Sequence, residues 1–143
     1  MILVDANLLV YAHVSDMAEH RKARAWLDAR ISGTSRIGLP WPSLISFLRL
    51  VTNPRVFARA ESIEEAWEQV SSWLNQPNVW IPVPGEQHRQ LLSNLLPYTR
   101  GRANLIPDAH LAALAMEHGL TLCSADGDFA RFPGLSSENP LAQ

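Results

Sequence analysis

Four aspartates stand where apolar runs give way to polar chain: Asp5 behind Ile2-Leu3-Val4, Asp108 at the head of Asp108-Ala109-His110-Leu111-Ala112-Ala113-Leu114-Ala115, and Asp126 and Asp128 beyond Leu120-Thr121-Leu122-Cys123. In an open α/β sheet that is the place where ligand sites are built, outside the carboxyl ends of the strands. Carboxylates gathered there repel one another and raise each other's pKa unless a cation neutralises them. A hard divalent ion such as magnesium or manganese suits an all-oxygen donor set. Such a centre can activate water and stabilise a phosphoryl transition state, which is the chemistry of a metal-assisted phosphodiesterase. Zinc is disfavoured, since His13 and His20 lack ligand spacing and Cys123 is the lone cysteine.

The elements that must position these acids alternate between strand and helix. Ile2 to Val4 reads as a short strand, with a helix beginning near Asn7. Ala18 to Ile31 places Ala23, Trp26, Leu27 and Ile31 at helical spacing. Arg36 to Leu39 is expected as a second strand, followed by a helix from a Ser43 cap to Val51 that ends at Asn53-Pro54. Ser62-Ile63-Glu64-Glu65 is a capping box for a helix to about Leu74, with Ile63, Ala66, Trp67, Val70 and Trp73 or Leu74 inward. Val79 to Val83 follows as a third strand, Glu86 to about Leu96 as a helix, and Tyr98 to Leu105 as a loop. Asp108 to His118 is the most regular helix, stopped by Gly119, and Leu120 to Cys123 is the fourth strand. The expectation is one α/β domain over residues 1–143, a mostly parallel central sheet flanked by helices, with a loosely held tail after about residue 133.

A chain of 143 residues, 47% hydrophobic and 18% charged, can bury a core without disulfides or a structural metal. Its formal charge of −2 excludes recognition of a polyanion by bulk charge, so any nucleic-acid contact must be local. Eleven of the twelve basic residues are arginines, Lys22 being the lysine, and arginine suits bidentate phosphate contacts. The start Met-Ile-Leu-Val-Asp, with no basic lead and a charge at position 5, is expected to be neither a signal peptide nor a membrane anchor. The single Cys123, expected as a buried thiol, favours a reducing cytoplasmic setting.

Val4-Asp5-Ala6-Asn7-Leu8-Leu9-Val10-Tyr11-Ala12, Phe47-Leu48-Arg49-Leu50-Val51-Thr52-Asn53-Pro54-Arg55-Val56-Phe57, Pro107-Asp108-Ala109-His110-Leu111-Ala112-Ala113-Leu114-Ala115 and Asp126-Gly127-Asp128-Phe129 together resemble the PIN-domain VapC toxins, in the family's order and across nearly the whole chain. The resemblance implies a magnesium- or manganese-dependent endoribonuclease. It further implies the toxin of a type II toxin–antitoxin pair, homodimeric and silenced by a small VapB-like antitoxin. By position, Asp5 would be the first metal ligand, Asp108 the second and Asp126 the acid closing the site, with Asp128 as an outer partner or helix cap. Asn7 resembles the small polar residue that orients the first acid. The chain departs from the pattern at Ser46, where many PIN domains carry a glutamate, and no acid lies between Asp28 and Glu61.

Other polar residues carry expectations of their own. Arg100 and Arg102, flanking Gly101 ahead of Asp108, are candidates for substrate-phosphate contacts. Arg49 is expected as an ion-pair partner or a substrate contact. Glu61, Glu64, Glu65 and Glu68 read as a solvated face, and His110 and His118 as structural histidines. The helices Ala18 to Ile31 and Ser43 to Val51 would line an apolar antitoxin groove. Two alternatives stand beside this reading. A haloacid-dehalogenase-like phosphatase would need a second acid where Asn7 stands and a late catalytic lysine, whereas Lys22 is early. A catalytically weak PIN-like domain that binds RNA or antitoxin without cutting is the other, suggested by Ser46.

Overall fold

Ile2–Val4 forms β1, a fully buried strand at the centre of a five-stranded sheet, in a computed structural model that describes residues 1–142. Ala6–His13 (α1) and His20–Ile31 (α2) lead from it to Ile37–Gly38 (β2). Trp41–Val51 (α3) and Ile63–Leu74 (α4) then lead to Val79–Trp80 (β3), and His88–Leu95 (α5) and Ile106–His118 (α6) to Thr121–Cys123 (β4). Short 3₁₀ turns at Leu96–Thr99, Ala103–Leu105 and Gly127–Arg131, and the strand Ser137–Glu138 (β5), complete the order. The strands run β3-β2-β1-β4-β5, and every pairing is parallel.

Successive strand residues point to opposite faces, and here both faces are buried, which is why β1 is an unbroken apolar run. Ile2, Val4, Ile37 and Cys123 pack with residues from α1 to α4 on one side. Leu3 and Leu122 pack with α5 and α6 on the other. The chain leaves β1 toward β2 on one flank and reaches β4 on the other, so the strand order reverses between β1 and β4. That reversal opens a crevice at their carboxyl ends, the usual ligand position of an open α/β sheet.

Several local expectations change on folding. α3 starts at Trp41 rather than after a Ser43 cap: Pro40 is its N-cap residue and Pro42 lies in the first turn, where a missing N–H leaves no bond unmade. Ser43 is buried instead, and its Oγ has no partner among the described residues. On α4 the Ser62–Glu65 capping box forms, but the phase it sets buries Ala66, Val70 and Trp73 and leaves Ile63 and Trp67 exposed. β3 stops at Trp80, ahead of Pro82 and Pro84, which cannot donate to a ladder. α2 and α5 begin at His20 and His88, each two residues later than expected.

The segment read as a loop from Tyr98 to Leu105 is largely two 3₁₀ turns, joined through Arg100 and Gly101 in left-handed conformations. α6 closes at Gly119, whose φ of 65° suits a residue without Cβ, and the Gly119 N–H bonds back to the last turn. The tail is held by the sheet, since Leu122 and Cys123 of β4 pair with Ser137 and Glu138. Glu61 is no free member of a solvated face: both its carboxylate oxygens lie 2.8 Å from His13 Nε2, and the His13 ring stands edge-on to Phe47 and Trp73.

Candidate active site

The register Val4↔Cys123 brings the two residues that follow, Asp5 and Ser124, side by side at the sheet's carboxyl edge. The Asp5 N–H bonds to the Cys123 carbonyl at 3.0 Å, continuing the ladder to the last residue before α1. Asp5 is then the N-cap of α1. Its Oδ1 accepts from the Ala6 N–H at 2.8 Å and its Oδ2 from Ser124 Oγ at 2.8 Å.

Ser124 is the hub of this corner. Buried at 3% exposure, its hydroxyl donates to Asp5 and accepts from Asn7 Nδ2 at 3.1 Å and from the Asp126 N–H at 3.0 Å. Asn7 Oδ1 also accepts from the Ala125 N–H at 3.3 Å, so Asn7 steadies Asp5 through Ser124 and the chain after β4. Residues 117 and 119 positions apart in sequence are thereby locked into one polar network. Nothing about Ser124 stands out as chemistry in the sequence; the signal was positional, since it follows its strand as Asp5 follows its own.

Asp126 caps the 3₁₀ turn Gly127–Arg131 by accepting from the Asp128 N–H at 2.9 Å. The capping role expected of Asp128 belongs to Asp126, because the turn begins two residues earlier, at Gly127. Asp128 instead pairs with Arg131, whose Nη2 lies 3.1 Å from Asp128 Oδ1 and whose Nε donates to the Asp128 carbonyl at 3.0 Å. Phe129 and Phe132, both buried, pin the turn into the core. From the other side α6 delivers Asp108 in its first turn. One carboxylate oxygen each from Asp108, Asp126 and Asp128 lie within 4.8 Å of one another.

The charges are strained against one another. Burial, then Asp5, Asp126 and Asp128, push the Asp108 carboxyl from 3.8 to about 6, with Arg131 opposing them. Burial also raises Asp5, its hydrogen bonds with Ser124 and Ala6 hold it down, and Asp126 adds to the rise. A cation among these oxygens would reverse both shifts. The donor set therefore fits a hard divalent metal: the oxygens of Asp108, Asp126 and Asp128 are all carboxylate and converge from two chain segments, Asp5 stands outside that group, and the repulsion is relieved only by positive charge.

The remaining expected site residues make no hydrogen bond or ion pair with this cluster among the described residues. Arg100 and Arg102 are exposed on the turn before α6, and among the described residues neither pairs with an acid. Ser46 is half-buried on α3, and its side chain bonds none of the four aspartates. Arg49 is exposed and has no ion-pair partner among the described residues. His110 meets His88, ring nitrogen to ring nitrogen, at 3.1 Å, and His118 bonds the Val83 carbonyl at 2.7 Å, so both histidines have structural partners. Cys123 is buried, and desolvation together with Glu138 pushes its thiol up to about 12.

Comparison with known proteins agrees with this architecture. Residues 2–135 match the PIN domain family. The chain is 41% identical to Ribonuclease VapC37 of Mycobacterium tuberculosis, covering 99% of both chains, and 38% identical to Ribonuclease VapC33 of the same organism over 100% of both. Its fold resembles that of VapBC2 from Rickettsia felis bound to promoter DNA, with a TM-score of 0.69, 17% identity and coverage of 97% of this chain and 98% of that one. FitAcB from Neisseria gonorrhoeae superposes with a TM-score of 0.67, 18% identity and full coverage of both chains. From its first strand to the turn after its fourth, the chain belongs to the PIN-domain family, in the VapC branch.

Proposed function

We propose that this protein is a metal-dependent endoribonuclease, the toxin of a type II toxin–antitoxin pair, acting in the cytoplasm as a homodimer and silenced by a VapB-like antitoxin. The observation that carries the reading is the convergence of Asp108, Asp126 and Asp128 oxygens within 4.8 Å, beside the buried Asp5, at the sheet's switch point. The relatives named ribonuclease span its full length at 38–41% identity, and the structural neighbours include toxin–antitoxin complexes named VapBC. Among the described residues no helix is long and apolar enough to cross a membrane.

Asp108 and Asp126 would hold the cation, with Asp5 on the sheet side and Asp128 on the side of the 3₁₀ turn. When bound, magnesium or manganese supplies Lewis-acid polarisation of the phosphodiester and lowers the pKa of the attacking water. The chain's own contribution is placement. Ser124 fixes Asp5 and the Asp126 backbone, Asn7 holds Ser124, and the buried Phe129 keeps the turn from drifting. Asp108, pushed up to about 6 by burial and the neighbouring acids, can take up a proton in mildly acidic solution while no cation is held, and burial also raises Asp5. Arg100 and Arg102 would meet backbone phosphates farther along the strand. The exposed Trp41 and Ile45 on α3 supply apolar surface for the antitoxin.

Ser46 favours the second reading, a PIN-like domain that binds RNA or antitoxin without cutting. The deciding experiment incubates purified protein with total cellular RNA and magnesium, manganese or chelator, beside Asp5→Asn and Asp108→Asn. Metal-dependent cuts at discrete sites, lost in both variants, are expected. Intact RNA with retained RNA or antitoxin binding would establish the non-cutting alternative.

A further inference from the structure

We infer that Arg131 is the residue that grips a substrate phosphate at the acidic centre, with Asp128 aiming it. The inference rests on the RNA-cleaving reading and deepens it. Four carboxylates outweigh the charge of one divalent ion, so a phosphodiester approaching Asp5, Asp108, Asp126 and Asp128 still meets net repulsion unless a fixed cation stands beside it. Arg131 Nη2 stands 3.1 Å from Asp128 Oδ1, and Asp128 is one of the three acids whose carboxylate oxygens lie within 4.8 Å of one another. Arg100 and Arg102 form no ion pair with any of these acids among the described residues.

The guanidinium is anchored without being used up. Its Nε donates to the Asp128 carbonyl at 3.0 Å and Nη2 to Asp128 Oδ1 at 3.1 Å. That engages two of the five N–H donors an arginine carries; the others meet no protein acceptor among the described residues. The side chain is 23% exposed, held yet open to a ligand. Buried Phe129 and Phe132 flank it in sequence and fix the turn that carries it. A planar fork with free donors at the rim of a phosphodiester site matches the bidentate geometry of phosphate oxygens, which a lysine cannot reproduce.

The test measures binding of a labelled, mixed-sequence single-stranded RNA to the whole protein in chelator across a salt series, then steady-state cleavage with metal. Thermal melting of each variant confirms the fold. Arg131→Gln is expected to weaken binding about tenfold and to reduce the salt slope by roughly 0.7, the loss of one phosphate contact. KM should rise more than kcat falls, and Arg131→Lys should restore the slope but only part of the affinity. Asp128→Asn keeps both acceptors that aim the guanidinium, the amide Oδ1 and the backbone carbonyl, and removes a repelling charge, so it should bind RNA at least as tightly as the wild type.

Wild-type affinity, slope and KM in Arg131→Gln would overturn the assignment, as would an equal loss of binding in Asp128→Asn, which would make the pair purely structural. If wild-type protein neither binds nor cuts RNA with either metal, the ribonuclease reading falls and takes the assignment with it. That result differs from the others because it appears before any substitution is made.

Discussion

Replacing Asp108 with asparagine removes a charge that the fold itself disfavours. In the folded protein the carboxyl is pushed from 3.8 to about 6, first by burial and then by Asp5, Asp126 and Asp128. At ~1.4 kcal/mol per pH unit the full shift corresponds to about 3 kcal/mol. Asp108 is only half-buried, and solvent screening reduces that to about 1–1.5 kcal/mol. The opposing benefit of an acid in the first turn of α6 is about 0.5 kcal/mol, so the repulsion wins. A folded pKa above the unfolded one means the penalty is complete above about pH 6 and fades as pH falls toward 3.8. In chelator at pH 8, Asp108→Asn should therefore melt about 2–4 °C above the wild type, and the gap should narrow between pH 6 and 4. Adding manganese should raise the wild-type melting temperature more than the variant's, because Asp108→Asn removes one donor and its repulsion while Asp5 and Asp126 still repel each other. Calorimetry across that pH range, with and without metal, reads both effects. A variant less stable than the wild type in chelator at pH 8, or one that gains as much from manganese, would refute the argument.

Ser124→Ala strips the hub from the Asp5, Asn7 and Asp126 network and leaves a buried carboxylate oxygen short of a donor; urea unfolding should show a loss of about 1–3 kcal/mol. Cys123, with its thiol at about 12, should stay unreactive toward a disulfide reagent at pH 8 in the native protein and react fully in denaturant. Ile45→Glu on the exposed flank of α3 should weaken capture of coexpressed antitoxin at least tenfold while RNA cleavage persists, as a pull-down and a cleavage assay on the same preparation would show. Gly119→Ala forces a Cβ onto a φ of 65° and should lower stability by about 1 kcal/mol in thermal melts.

Much of the architecture is legible in sequence because strands buried on both faces must be apolar throughout, and helices must repeat their apolar residues near every third or fourth position. Ile2–Val4, the α6 pattern and the Ser62 capping box declare themselves in this way, and so do the four aspartates, each at an element end. Boundaries were less legible where backbone chemistry overrides side-chain propensity. The helix expected from a Ser43 cap starts instead at Trp41, with Pro42 inside its first turn, and Ile63 and Trp67 read as core yet face outward, because hydrophobicity does not set rotational phase. Adjacency is what tertiary structure alone decided. The parallel pairing of β1 with β4 places Ser124 against Asp5, and the turn after β4 swings Arg131 onto Asp128, beside Asp108 and Asp126. The sequence determines which residues can carry charge at the ends of the strands; only strand order and register determine which of those charges share a space, since the crevice exists solely where neighbouring strands part company.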